Sequence, residues 1–509
     1  MVRHSHTRSR SRLVTAAAAA ALLLAGSSSL TTSVTAAPLP ASSHEAGSSL
    51  ELSIHAAAPA GAKNAAAAAA AASSSSQSPY AKFNGIGALN NNRTYVNLAI
   101  SAIHASQRAA WEQGVTAQAI LEWQYPDWTT WDAPSAASFS APTAGEGRSD
   151  FPQDTVLQAM RSVVAQDVNG RLGAKVTGDE DANQGSSLDS VSNLEHVLVA
   201  ALASGDISGS PNTLSSTGVY SGAAIKAYEF ATTKVMRGAG GIISQRTNER
   251  QYWADQMYMG PPSFAAYGLY AQDADALQLG YDQIKLELGV LLYPSGSGSK
   301  SGLVGHIRNE DGSWADPAAW VTGQGWAALG LLRTAAALAQ SAPNGALPSK
   351  TANNVVDLLT RTGTLLANVH ATFDASASLW HNYVDDASTF HDISGSLALA
   401  AATFRLATYA PSLISAASLA NAESVYSRVV PHLHGNGQFG DGLQCVNALD
   451  FGVPGYTSVE ALSFGVLLEA ARRDFRQAKK GQSSALVGTI SGLNVGQAPA
   501  TPQRAAKKA

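Results

Sequence analysis

The chain has 509 residues, of which 45% are hydrophobic and only 14% charged, with a formal net charge of −4. That balance describes a soluble globular protein and excludes a basic nucleic-acid binder. The single cysteine, Cys445, rules out an internal disulfide, so the fold must rest on a large core in which Cys445 reads as one small hydrophobe.

Residues 1–37 place Arg3, Arg8, Arg10 and Arg12 ahead of an apolar run from Leu13 to Ala25, followed by small residues ending in Ala36 and Ala37. This is the layout of a cleavable secretory signal. No later stretch approaches the roughly 20 uninterrupted apolar residues that cross a bilayer, so a released extracellular protein is expected, not a membrane-anchored one. Residues 38–82 are dominated by Ala and Ser, including the unbroken run Ala65–Ala72, and read as a flexible linker. Asn92, Arg93 and Thr94 form an N-glycosylation sequon, in keeping with secretion.

Between residues 83 and 476, helical apolar spacing recurs while strand alternation is hard to find. The spacing predicts helices over about 95–123, 152–167, 188–204, 218–236, 251–271, 275–292, 319–340, 350–371, 392–409, 413–430 and 457–473. Many carry a face of Ala and Gly beside Leu and Val, as in GWAALGLLRTAAALA, which permits close helix contact. Short connections favour antiparallel hairpins, and without a fixed short repeat a closed α/α barrel is a better reading than a solenoid. Residues 477–509 lack a sustained apolar period and read as a disordered tail.

Several segments carry groups suited to chemistry. YWADQMYM sets Asp255 among Tyr252, Trp253 and Tyr258 with Met257 and Met259, surroundings that raise a carboxyl pKa as a general acid requires. The alternative is an acid at a helix start that merely serves the helix dipole. Asp189, in SSLDSVSNLEHV, is a second acid or part of a helix cap. His306, Asp311, Trp314, Trp320 and Trp326 cluster in one segment, where indole faces suit sugar rings and His and Asp suit hydroxyls, although at least one of the three tryptophans is expected in the core. Trp111, Trp123, Tyr125, Trp128 and Trp131 line a cleft or brace the first helices. Trp380, His381, Asp385, Asp386, His391 and Asp392 form a further patch whose spacing matches no familiar ligand set, so no metal is expected. Neither a Gly-rich phosphate loop nor a G-x-S-x-G elbow occurs, which disfavours nucleotide chemistry and serine hydrolysis, and no cofactor is expected.

Taken in order, SSLDSVSNLEHV, GAGGIISQRTNERQYWADQMYMGPPSFAAYG and HIRNEDGSWADPAAWVTGQGWAALG resemble glycoside hydrolase family 105, the unsaturated rhamnogalacturonyl hydrolases, which are related to the unsaturated glucuronyl hydrolases of family 88. The resemblance spans about residues 95–475 and is sharpest at the W-x-D-x-x-Y-M element, Trp253 to Met259. It implies an all-α, six-hairpin (α/α)6 barrel, with Asp255 as general acid and base and Asp189 as its partner. His306, Trp320 and Trp326 match positions that line the family's sugar pocket, and Trp253 and Tyr258 flank the acid. The implied reaction hydrates the C4=C5 double bond of a terminal uronate left by a polysaccharide lyase. Two departures bear on the sugar. Ser244 and Gln245 stand where the family often has His and Lys, and Thr322 stands where a W-x-R pattern has Arg. The uronate carboxylate then falls to Arg246, Arg250 or Arg308, or the sugar differs. Two other readings are a conventional glycosidase on saturated glycosides such as mannan, with Asp189 and Asp255 as its pair, and a barrel that binds glycans without turnover. The expected partner is an oligosaccharide, and the expected state a monomer.

Overall fold

The computed structural model describes residues 89–131, 151–174, 185–208, 213–341, 347–434, 436–447, 450–482 and 484–496. The signal segment, the linker and the sequon side chains lie outside the described residues. The helices are α1 Leu89–Ser106, α2 Ala110–Gln124, α3 Gln153–Val164, α4 Leu194–Ser204, α5 Val219–Glu229, the single turn α6 Gln256–Met259, α7 Pro261–Ala271, α8 Ala274–Leu291, α9 Val321–Gln340, α10 Ser349–His370, α11 Ile393–Tyr409, α12 Ala416–Val429, α13 Val459–Ala478 and α14 Ala485–Ser491.

Two kinds of helix alternate along the chain. Helices α2, α4, α7, α9, α11 and α13 are buried nearly all round, and every residue of α9 and α11 is buried. Between them, α3, α8, α10 and α12 bury one face only, as an apolar stripe on an otherwise polar helix requires. The buried helices pack in the cyclic order α2, α4, α7, α9, α11, α13 and back to α2, with the others outside them. That closes the (α/α)6 barrel read from the sequence. Small residues make the tight contacts. A Cβ on Gly330 of α9 would sit 2.1 Å from the Met257 carbonyl oxygen, and one on Gly325 would sit 2.5 Å from Ala398 Cβ of α11.

Charged groups hold the barrel interior together. Arg333 of α9 donates to Glu195 of α4 at 2.6 Å and to Gln118 of α2 at 3.2 Å. Gln118 donates to Glu122, which accepts from Arg405 of α11 at 2.7 Å. Each cation is thus paired where an isolated charge would be costly.

Three expectations change. The helix expected over 95–123 is two helices, because the Glu112 side chain folds back to accept from the backbone N–H of Arg108 and of Ala109 and starts α2 afresh. The helix expected over 251–271 begins as strand Gln251–Trp253, and Pro261 and Pro262, tolerated only at a helix start, divide the remainder into α6 and α7. The tail is not wholly irregular: α14 buries Leu486 and Ile490 against α9 and α11. Two anchors four residues apart were too few to show as a period. Cys445 is buried and free, as expected.

Small sheets decorate the helices. β1 Ile207–Ser208 pairs with β2 Thr213–Leu214. β3 Gln251–Trp253, β4 Ile307–Asn309 and β5 Trp314–Asp316 form an antiparallel sheet in that order, and β6 Cys445–Asn447 pairs with β7 Asp450–Gly455.

Candidate active site

Sheet register assembles the centre of the site. Trp253 lies opposite Ile307, and the N–H of Ala254 donates to the carbonyl of His306 at 2.9 Å. The next residue, Asp255, therefore sits beside His306 although 51 positions separate them in the chain. Asp255 occupies the cap position of α6, but its side chain makes no capping bond. Its Oδ2 instead faces His306 Nε2 at 3.5 Å, and neither atom has a closer partner among the described residues. On the far side of the ring, His306 Nδ1 lies 2.7 Å from Asp316 Oδ2. Burial disfavours a charged His306, but its contacts with Asp255 and Asp316 outweigh this and raise its pKa. Asp316 is partly buried, which opposes its ionisation, yet His306 and the N–H of Ala318 hold it below the ordinary carboxylate range.

Asp189 lies in the turn before α4. Gln245 Nε2 donates to its Oδ1 at 2.9 Å and to Ser186 Oγ at 2.7 Å, so the carboxylate is not the helix cap. Burial pushes Asp189 from its ordinary 3.8 up to about 6, with the charge of Asp255 adding to it, against the bonds from Ser186 and Gln245 and the charge of Arg246. The two acids therefore share one electrostatic site.

The aromatic wall is partly as expected. Trp253 is half-buried, edge-on to His306 at 5.9 Å and to Phe451 at 6.0 Å. Trp320 is buried, 4.6 Å from His306 and 5.0 Å from Phe451, and its Nε1 donates to Asn382. It braces the histidine. Tyr258 and Trp326 correct the sequence reading: both are enclosed in the core, tilted against each other at 4.6 Å, with Arg333 over the Tyr258 ring and Phe464 against Trp326, and present no face to a ligand. Trp314 packs on Tyr293 beneath Arg308, and Asp311 is an exposed hairpin-turn acid. Asp316 is the acid of that segment that reaches the histidine. A sequence signal for it existed, since Asp before Pro marks the end of a strand, but the strand itself was not legible. Phe451 arrives on β7 and had no signal.

The family departures have structural reasons. Thr322 Oγ1 donates to the buried Asp392 at 2.7 Å, which caps α11, so this position serves the scaffold. Ser244 is buried and bonded to the Glu249 carbonyl. Of the three candidate arginines, Arg308 is spent on the carbonyls of Val290 and Gly312, and Arg250 on that of Arg237. Arg246 stands over the Trp253 ring at 6.0 Å, within Coulombic reach of Asp189.

All of this gathers at one end of the barrel. Asp189, Asp255, Trp320, Asp392 and Glu460 lie at or just before the N-termini of α4, α6, α9, α11 and α13, and the charges of Asp255 and Asp392 both act on buried Glu460. An open recess of about 500 Å³ lined by His434, Asn436, Gln438, Phe439, Gly440 and Tyr456 holds none of these acids.

The family model for Glycosyl Hydrolase Family 88 matches residues 212–465, a span that includes Asp255, His306 and Trp320. The chain is a glycoside hydrolase that is similar to family 88 over that span. Solved structures agree on the fold of this glycosidase. A family 105 glycoside hydrolase from C. acetobutylicum ATCC 824 is 14% identical with a TM-score of 0.53, over 74% of this chain and 98% of that one. A possible family 105 member from Klebsiella pneumoniae subsp. pneumoniae MGH 78578 is 15% identical with a TM-score of 0.51, over 71% and 82% of the two chains. No curated protein matches the glycosidase by sequence. Among the described residues no helix is long and apolar enough to cross a membrane.

Proposed function

We propose that this glycoside hydrolase acts outside the cell on oligosaccharides ending in an unsaturated uronate, and that Asp255 and Asp189 carry the reaction. The observation that supports this most is the pairing of two acids with the buried His306–Asp316 couple at the mouth of the barrel. Hydration of the C4=C5 bond needs a proton delivered to C4 and a water activated at C5. Asp255 delivers the proton, and once ionised it is stabilised by the positive charge that Asp316 maintains on His306. The same carboxylate then takes a proton from the water that adds to C5. The resulting hemiketal opens to a C5 ketone, and the freed C1 hemiacetal expels the neighbouring sugar. Asp189, protonated into the mildly acidic range, donates a hydrogen bond to the substrate and supplies the site's reserve proton. The converging helix N-termini favour an anionic sugar. Arg246 is the cation left to meet the uronate carboxylate, with Trp253 beside it.

The test follows loss of double-bond absorbance on unsaturated uronyl oligosaccharides, with saturated oligosaccharides alongside. Asp255→Asn should lose about 10²- to 10⁴-fold in rate with its circular dichroism unchanged. Equal activity in that variant, or turnover of the saturated sugars alone, overturns the assignment.

A further inference from the structure

The sequence patch around His381 and His391 acquires a third member in the fold. Asp374, seven residues upstream of His381, brings its Oδ2 to 2.9 Å from His391 Nε2 and 3.8 Å from His381 Nε2. The two imidazoles face each other at 4.2 Å because His381 and His391 are directly opposed across a short antiparallel bridge. All three donor atoms lie within 4.8 Å of one another. In a tetrahedral zinc site, bonds of about 2.0–2.1 Å separate neighbouring donors by roughly 3.3 Å, midway between the two distances seen.

The outer contacts are those that orient ligands. His381 Nδ1 is 2.7 Å from the Thr389 carbonyl, which can only accept, so Nδ1 carries the proton and Nε2 turns its lone pair toward Asp374. Asp374 Oδ1 accepts from the N–H and the hydroxyl of Ser376, which leaves Oδ2 for both histidines. The side chains are 16%, 33% and 27% exposed for His381, His391 and Asp374, so an ion can enter and water can complete its shell.

We propose that Asp374, His381 and His391 form a site for one divalent transition-metal ion of the zinc class. The ion takes the place of the proton between His391 Nε2 and Asp374 Oδ2, which is released on binding. Its role is to staple the connection between α10 and α11. His391 adjoins Asp392, which caps α11 and accepts from the N–H of Val446. His381 adjoins Asn382, which accepts from Trp320 and donates to the Phe451 carbonyl. In a chain with one cysteine, a metal here performs the cross-linking that a disulfide cannot.

Tag-free full-length protein, stripped with chelator and dialysed against zinc, should retain one equivalent by elemental analysis. Zinc at a hundredfold excess over Kd should raise Tm by about 3 °C. Cobalt in its place should give the strong visible d–d bands of a four-coordinate site. His381→Ala and Asp374→Ala should lose the equivalent, whereas the double variant His432→Ala and His434→Ala should keep it. Should either site variant misfold, the wild-type stoichiometry and cobalt spectrum still decide. Absence of stoichiometric uptake by wild type, an octahedral cobalt spectrum, or full retention by folded His381→Ala overturns the proposal.

Discussion

Asp189→Asn is expected to make the barrel more stable at neutral pH while it removes activity. The amide keeps the oxygen that accepts from Gln245 Nε2 and deletes only the ionisation. In the folded wild type the Asp189 carboxyl is raised from 3.8 to about 6, chiefly by burial, and in the unfolded chain it returns to its ordinary value. Between those values the unfolded chain has released the proton and the folded chain has not. Wild-type stability attributable to this group is therefore intact below about pH 4 and is lost as pH rises through about 6. At 1.36 kcal/mol for each pH unit of difference, the loss approaches about 3 kcal/mol, and partial solvent exposure screens it to about 2. Asn carries no such loss. Urea unfolding followed by circular dichroism should show the variant about 2 kcal/mol more stable at pH 7.5, with the difference vanishing near pH 4. In a domain of this size the gain appears as roughly 2–3 °C in Tm. A pH-independent difference, or a variant less stable at neutral pH, would refute the reading of Asp189 as a strained acid.

Three further outcomes follow from the geometry. Asp316→Asn removes one of the two charges that raise His306, so kcat should fall about 10- to 100-fold and the alkaline limb of the pH–rate profile should move to lower pH. Because His306 is raised when folded, the stability it contributes is full below its unfolded pKa and fades as pH rises, so this variant should be destabilised more at pH 6 than at pH 9. Arg246→Ala should raise KM for unsaturated uronyl substrates about 10- to 100-fold with a smaller change in kcat, measured by initial rates over a substrate series. Arg333→Met should cost about 3–5 kcal/mol in urea unfolding, because it leaves Glu195 buried without its cation, and Glu195→Gln in the same chain should recover part of that loss.

Helix existence was legible because burial of one stripe or of the whole surface writes a period of 3.6 into the chain. The runs from α8 to α12 read to within three residues at each end, and the Gly and Ala faces that let α9 approach α6 and α11 were visible as composition. The short strands were not. Gln251–Trp253 and Ile307–Asn309 are three residues each, too brief for an alternation, and their pairing across 53 intervening residues leaves no local trace. The site inherits that division. Asp255, Asp189, His306 and Trp320 stood out by their company, whereas Asp316 and Phe451 reach the site only through sheet register and a distant hairpin.

The aromatic readings show the same limit from the other side. Composition marks a tryptophan as bulky and polar at one edge but not which way its helix turns it. Trp253 faces the site from strand β3, Trp320 supports it from the start of α9 and Trp326, inside α9, fills the core.

The sequence by itself determined most of the helices and the barrel class and singled out Asp255 and Asp189 as candidate acids, since these depend on periodicity and local chemistry. Only the tertiary structure decided which groups meet. It coupled Asp255 to Asp316 through His306, tied Arg250 and Arg308 to backbone carbonyls, withdrew Tyr258 and Trp326 into the core, and carried Asp374 to two histidines. Each of these depends on distances between residues far apart in the chain, which packing sets and local pattern does not record.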